Sequence, residues 1–187
     1  EPGPDDLYPD GTAVRILRSV PTDDGSQRIY VQGVRRVQID EFVQRDPYLR
    51  ARVTRLPERA EPSLVMEALQ RNVSNQFLAL TEGSSTVNEA VRTLVANLED
   101  PSVLADQLAA HTGLSVEDRQ ELLELLDVRA RLERLSEHLA RECEVQRMER
   151  EIREEVQEEL SRSQREYVLR EQARAIRRQL GEVDHAS

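Results

Sequence analysis

The chain has 187 residues, a formal charge of −10, and 26 basic side chains that are all Arg, so lysine chemistry is excluded within it. A single cysteine rules out an internal disulfide and no apolar run reaches the roughly 20 residues that span a bilayer, which leads us to expect a cytoplasmic protein with no membrane partner. Residues 81–127 set ten carboxylates against two Arg, and no other block offers a basic face for phosphate, so nucleic acid is a poor partner.

The chain opens on Glu rather than Met, which reads as a piece of a larger protein. Glu1 to Pro9 is rich in Pro and Asp and reads as a loop. GTAVRILRSV then alternates with period two, placing Val14 and Ile16 on one face, and RIYVQGVRRVQIDEFV alternates through Ile29, Val31, Val37 and Ile39. Asp24-Gly25 between them supplies a hairpin turn. Gly33 inside the second strand marks a bulge or a close approach of backbone. YLRARVTRLP gives a third strand with Leu49, Ala51 and Val53 inward. Three strands with one apolar face are near the minimum that can stand alone.

From Glu61 the period becomes helical. Pro62 suits a first turn, and Leu64, Val65, Ala68, Leu69, Val73, Phe77 and Leu80 form an apolar face ending at Gly83. Thr86 with Glu89 has the form of a capping box for a second helix through Val91, Leu94, Val95 and Leu98. Asp100-Pro101 opens a third through Val103, Leu104 and Leu108, and Ser115 with Asp118 a fourth through Leu122, Leu123, Leu125 and Leu126.

Between Gly113 and Gly181 there is neither Gly nor Pro, and the residues are mostly strong helix formers. One helix capped by Asp127 and closed by Gly181 would run roughly 80 Å, beyond any small domain, toward another domain or subunit. Leu132, Leu135 and Leu139 begin an apolar stripe that continues through Val145, Met148, Ile152, Val156 and Leu160 and is expected to pack on a helix, within the chain or between copies. Glu137/Arg141, Glu149/Arg153, Glu158/Arg162 and Glu166/Arg170 have the spacing of stabilising pairs. The stripe lapses across 161–166 and resumes at Tyr167 and Leu169, so the helix bends there or changes partner.

No catalytic, cofactor-binding or metal constellation stands out. His111, His138 and His185 are scattered; His138 with Glu142 makes an i,i+4 surface pair, and one His with one carboxylate leaves a metal half coordinated. Cys143 has no basic partner to lower its pKa. There is no phosphate loop. The pattern is α+β: a strand-rich lobe over 1–60, a helical bundle over 61–126 and a long projecting helix over 127–187. It is a binding or support module. A free-standing coiled-coil adaptor or dimerisation module, and a nucleic-acid module, are the other readings; the sequence after Ser187 and salt-dependent retention on DNA would tell them apart.

Three stretches carry a family resemblance. SQREYVLREQARAIRRQLGE (163–182), LEDPSVLADQLAAHTGLSVEDRQELLELLDVRARLERL (98–135), and DLYPDGTAVRIL with VQGVRRVQI resemble the N-terminal region of Lon, the ATP-dependent AAA+ serine protease. Ala173 and Arg174 depart mildly from the family's usual larger apolar residue and Lys. The resemblance covers nearly the whole chain and implies a PUA-like antiparallel β-lobe, incomplete because the family's LPLR-like opening strands precede Glu1. It also implies a parent with an ATP- and Mg-dependent motor and a Ser-Lys dyad outside this segment. In the family this region helps recognise unfolded or damaged proteins and supports the hexamer above the motor's entrance. Tyr167 and Leu169 are then expected to touch substrate or a neighbouring subunit.

Overall fold

A computed structural model describes residues 3–82 and 87–184, with side chains as far as Arg178. Alternation in the first 60 residues produces three antiparallel strands, β1 (Asp10–Pro21), β2 (Gln27–Gln44) and β3 (Arg50–Arg55), in the order β1-β2-β3. The β1–β2 turn is held by the Thr22 hydroxyl, which donates to Asp24 Oδ1 at 2.7 Å, and by Gly25 at φ 82°, a conformation that side chains resist. Thr22 and Ser26 hold the Asp24 carboxyl down at about 2. The register slips between Ala13 and Val14, where Val34 becomes the extra residue beside Gly33. A Cβ on Gly33 would stand 3.4 Å from the Thr12 methyl, so the glycine serves a bulge and a close approach together.

Among the described residues five α-helices follow: α1 (Leu64–Leu80), α2 (Glu89–Ala96), α3 (Pro101–His111), α4 (Val116–Glu124) and α5 (Val128–Asp184). Most starts obey their caps. Asp100 Oδ1 accepts from the amides of Ser102 and Val103, Ser115 Oγ from Asp118, and Asp127 Oδ1 from Ala130. Two starts differ from the sequence expectation. Ser63, not Pro62, closes the front of α1 by accepting from the Met66 amide, and this phase buries Met66 while Leu64, Val65 and Ala68 stay exposed. Asn88 caps α2 by accepting from Val91; Thr86 and the expected stop at Gly83 lie outside the described residues. Gly181 does not close α5, which runs on to Asp184.

The chain forms two compact units, Glu1–Ala140 and Arg141–Ser187. In the first, the core lies among the helices: Val73 and Phe77 of α1, Leu104 and Leu108 of α3, and Leu132 and Leu135 of α5 are all fully buried. Among the described residues the sheet meets the helices at the end nearest α4, where Gln120 Nε2 donates to the Asp10 carbonyl. Val14, Ile16, Ile29, Val31 and Val53 remain about half exposed, so Val53 is not inward as its alternation suggests. Among the described residues, the second unit is α5 alone, continuous through 161–166.

Candidate functional site

Two features of this fold bear on function. The first is a partly buried ionic cluster that fastens the sheet to the helices. Arg36 of β2 sends Nη2 to Asp106 Oδ1 of α3 at 2.6 Å, Nη1 to Glu58 Oε1 at 2.5 Å and Nε to the Leu123 carbonyl at 3.0 Å. Arg131 of α5 is fully buried and meets the same acids, Glu58 Oε1 at 2.8 Å and Asp106 Oδ1 at 3.4 Å. Its Nη2 also donates to the Leu125 carbonyl at 2.6 Å. Burial and the nearby Arg36 charge push the Arg131 guanidinium below its ordinary value. Burial pushes Glu58 up, but the Ser102 hydroxyl and the two guanidiniums outweigh it and leave the carboxyl lowered.

Two cations and two anions cancel, and most of the guanidinium hydrogens have acceptors, which is how buried charge becomes tolerable. The arrangement holds β2, the stretch after β3, α3 and α5 in one geometry. Both of its carboxylates are held by guanidiniums. Sequence reasoning missed it: Arg36 sits in a run of ordinary strand residues and Arg131 beside surface arginines, and their partners lie far away in the chain.

The second feature is the outer surface of α5. Val145, Met148, Ile152, Val156 and Leu160 lie three or four residues apart and are about half exposed, Ile152 at 61%. Among the described residues no other helix covers them. Tyr167 and Leu169 are also exposed, at 67% and 63%. The two do not share a face. At about 100° per residue they point roughly 200° apart. Tyr167, seven residues beyond Leu160, continues the first stripe, whereas Leu169 starts another with Ala173 and Ile176. The intervening polar stretch is therefore a change of face along an unbroken helix.

The ion pairs on this helix depart from the expected spacing. Glu166–Arg170 forms at 3.1 Å. Arg162 pairs instead with Glu159, Glu137 with Arg134, and Arg147 with both Glu144 and Glu151. Glu149 and Arg153 form no ion pair with each other. Arginine reaches i−3 as readily as i−4, so spacing alone does not choose the partner.

The remaining candidates offer no reaction chemistry. Burial and Glu142 push the Cys143 thiol up, away from thiolate. His111 is exposed in the last turn of α3, and His185 lies outside the described residues. His138 does not pair with Glu142; it faces α4, 3.6 Å from Asp118. A cleft of about 340 Å³ between Pro62, Met66 and Pro101 is rimmed by Glu61, Glu67 and Glu99, and its one hydroxyl, Ser63, caps α1.

Comparison with known proteins agrees with this architecture. The family model described as the ATP-dependent protease La (LON) substrate-binding domain matches residues 1–141. Lon protease of Koribacter versatilis is 40% identical over 188 residues, which cover 100% of this chain and 23% of the relative. Lon protease of Dictyoglomus thermophilum is 36% identical over 184 residues, covering 98% and 23%. The solved N-terminal domain of Mycobacterium avium complex Lon protease superposes with a TM-score of 0.62 at 30% identity, covering 72% of each chain. The chain thus spans about a quarter of the length of the curated relatives, and none of their protease or ATPase parts is matched. A sheet-and-helix lobe of this topology, matched by that model over most of its length, belongs to the Lon substrate-binding domain family.

Proposed function

We propose that this segment is the non-catalytic substrate-recognition and hexamer-supporting module of a cytoplasmic Lon-like protease that degrades unfolded, damaged or regulatory proteins. Its parent would draw on ATP and Mg for a motor and on a Ser-Lys dyad for cleavage, neither of them in this segment. The observation that carries the reading is the uncovered apolar surface of α5. Unfolded chains expose apolar segments, and a module that recognises them must leave matching surface free. Tyr167 ends one such stripe and Leu169 begins the next, so one helix can hold a neighbouring subunit on one face and substrate on another.

In the full-length enzyme, Tyr167→Ala should impair degradation of an unfolded protein more than cleavage of a short peptide, which needs little recognition. Leu169→Ala, on the opposite side, should then affect the other role. Equal loss on both substrates together with a smaller hexamer would assign the residue to packing, and no loss on either would remove it. A second reading, an adaptor that dimerises through α5, draws on the seam-like spacing of Val145 to Leu160. Sedimentation of the isolated segment tests it: a stable dimer that Ile152→Glu dissolves would favour the adaptor. Purified segment should hydrolyse neither ATP nor peptide; activity that survives repurification would overturn the non-catalytic assignment.

A further inference from the structure

Three side chains of the helical lobe converge at a place the proposed function leaves unused. Asp118 and Glu121 stand one turn apart on α4, so their carboxylates leave the helix on one side. His138 comes to them from α5, and one ligand atom of each residue lies within 4.8 Å of the other two. Nε2 of His138 is 3.6 Å from Oδ1 of Asp118, too long for a hydrogen bond. That nitrogen is closed off from solvent, has no hydrogen-bond partner among the described residues, and belongs to a side chain only 13% exposed. A buried ring nitrogen left unpaired is costly, and a ligand would relieve the cost.

The carboxylates are already oriented by their other oxygens. Asp118 Oδ2 accepts from the Ser115 hydroxyl at 2.8 Å, and Glu121 Oε2 from Arg134 Nη2 at 2.9 Å. Asp118 Oδ1 and Glu121 Oε1 accept no hydrogen bond among the described residues. Both acids are partly open to water, which gives an ion access.

We propose that Asp118, Glu121 and His138 form a divalent transition-metal site suited to Zn²⁺, with His138 Nε2 and one oxygen from each carboxylate as ligands. Water would complete a four-coordinate shell. Mg²⁺ and Ca²⁺ favour all-oxygen shells, so the imidazole selects against them. Zinc takes His nitrogen and carboxylate oxygen at about 2.0–2.2 Å, and two such ligands at the tetrahedral angle stand roughly 3.3–3.6 Å apart. The 3.6 Å between His138 and Asp118 already meets that spacing. Arg134 opposes the ion electrostatically, but it has a second carboxylate in Glu137 at 3.1 Å to which it can turn. The bound ion would join α4 to α5 and stabilise the lobe by mass action.

The test titrates the intact chain with Zn²⁺ and, separately, Mg²⁺, followed by calorimetry and by melting. One equivalent of Zn²⁺ should bind and raise the melting temperature, and Mg²⁺ should do neither. His138→Ala should weaken Zn²⁺ binding by at least about tenfold and abolish the rise, while Arg134→Gln should tighten it. Should His138→Ala misfold by circular dichroism, Asp118→Asn with Glu121→Gln decides in its place. Co²⁺ serves as a coloured probe and should show visible ligand-field bands without thiolate charge transfer. No zinc response at about a hundredfold excess, a response unchanged in the variants, or a thiolate band that reports Cys143 would each overturn the site.

Discussion

Within α5, the stretch from Val128 to Ala140 and the stretch beyond it are built from the same kinds of residue. Large apolar residues recur at threes and fours in both, Leu and Val in the first and Val, Met, Ile and Leu in the second, spaced by Glu and Arg. Yet Leu135 is fully buried and Leu139 nearly so, while Ile152 and Leu160 stand more than half exposed. The arginines divide in the same way. Arg131 is sealed among two acids and a carbonyl, whereas Arg147 bridges Glu144 and Glu151 on an open surface. Helical periodicity thus fixes which face is apolar, and says nothing about whether a partner covers it.

The contrast can be broken by truncation. Leu135→Ala removes packing on every side and should cost about 2–5 kcal/mol in chemical denaturation, whereas Ile152→Ala should fall within about 0.5 kcal/mol for the isolated segment. A large loss at Ile152 would show that its face is covered in solution, by a second copy.

Charge gives the next sharpest test. Arg131→Ala should destabilise by about 3 kcal/mol, since it leaves the Leu125 carbonyl without its donor and takes from Glu58 one of its two guanidinium partners, although Arg36 and partial hydration of Glu58 and Asp106 keep it from the upper end. Arg131→Met, which fills the space, should not rescue unless Glu58→Gln accompanies it. Arg147→Ala should leave the melting curve nearly unchanged, as expected for an exposed helix pair.

Acid titration separates the same two regions more gently. Because Glu58 has a lowered pKa in the folded state, its stabilising contribution is complete above the unfolded value near 4.5 and is lost as the pH falls below it through the folded value. Melting followed from pH 6 down to pH 3 should therefore show a fall that Glu58→Gln diminishes. The smallest effect is expected from Ile152→Glu, which should leave the melting of the monomer unchanged while lowering any self-association seen by sedimentation.

What was legible in the sequence follows from how local each signal is. Asp100, Ser115 and Asp127 were found as caps because a cap and its amide lie within three residues. Gly25 and Gly33 were found because a turn and a bulge leave a mark at one position. The Arg36–Glu58–Asp106–Arg131 cluster was illegible because its members come from four separate segments and each alone resembles a surface charge. His138 was misplaced for the same reason: its neighbour Glu142 is visible along the helix, and Asp118 across the α4–α5 turn is not. The uncovered stripe on α5 was visible as a pattern, but coverage belongs to the partner rather than to the stripe.

After β3 the chain crosses the junction of α4 and α5, and Arg59 meets that junction through its backbone. The Arg59 amide donates to the Leu126 carbonyl at 2.9 Å, and the Arg59 carbonyl accepts from the Val128 amide at 2.9 Å. Since neither bond involves a side chain, a mutational scan would find position 59 permissive to most replacements and position 128 limited to residues that fit its buried site, with both intolerant of proline. Proline at 59 removes the donor of the first bond, and proline at 128 removes that of the second. The latter is notable because 128 is the opening residue of a helix, where proline is ordinarily welcome. A tolerance profile that forbids proline at a helix's first position would thus reveal, without any structure, that the amide there is already spoken for.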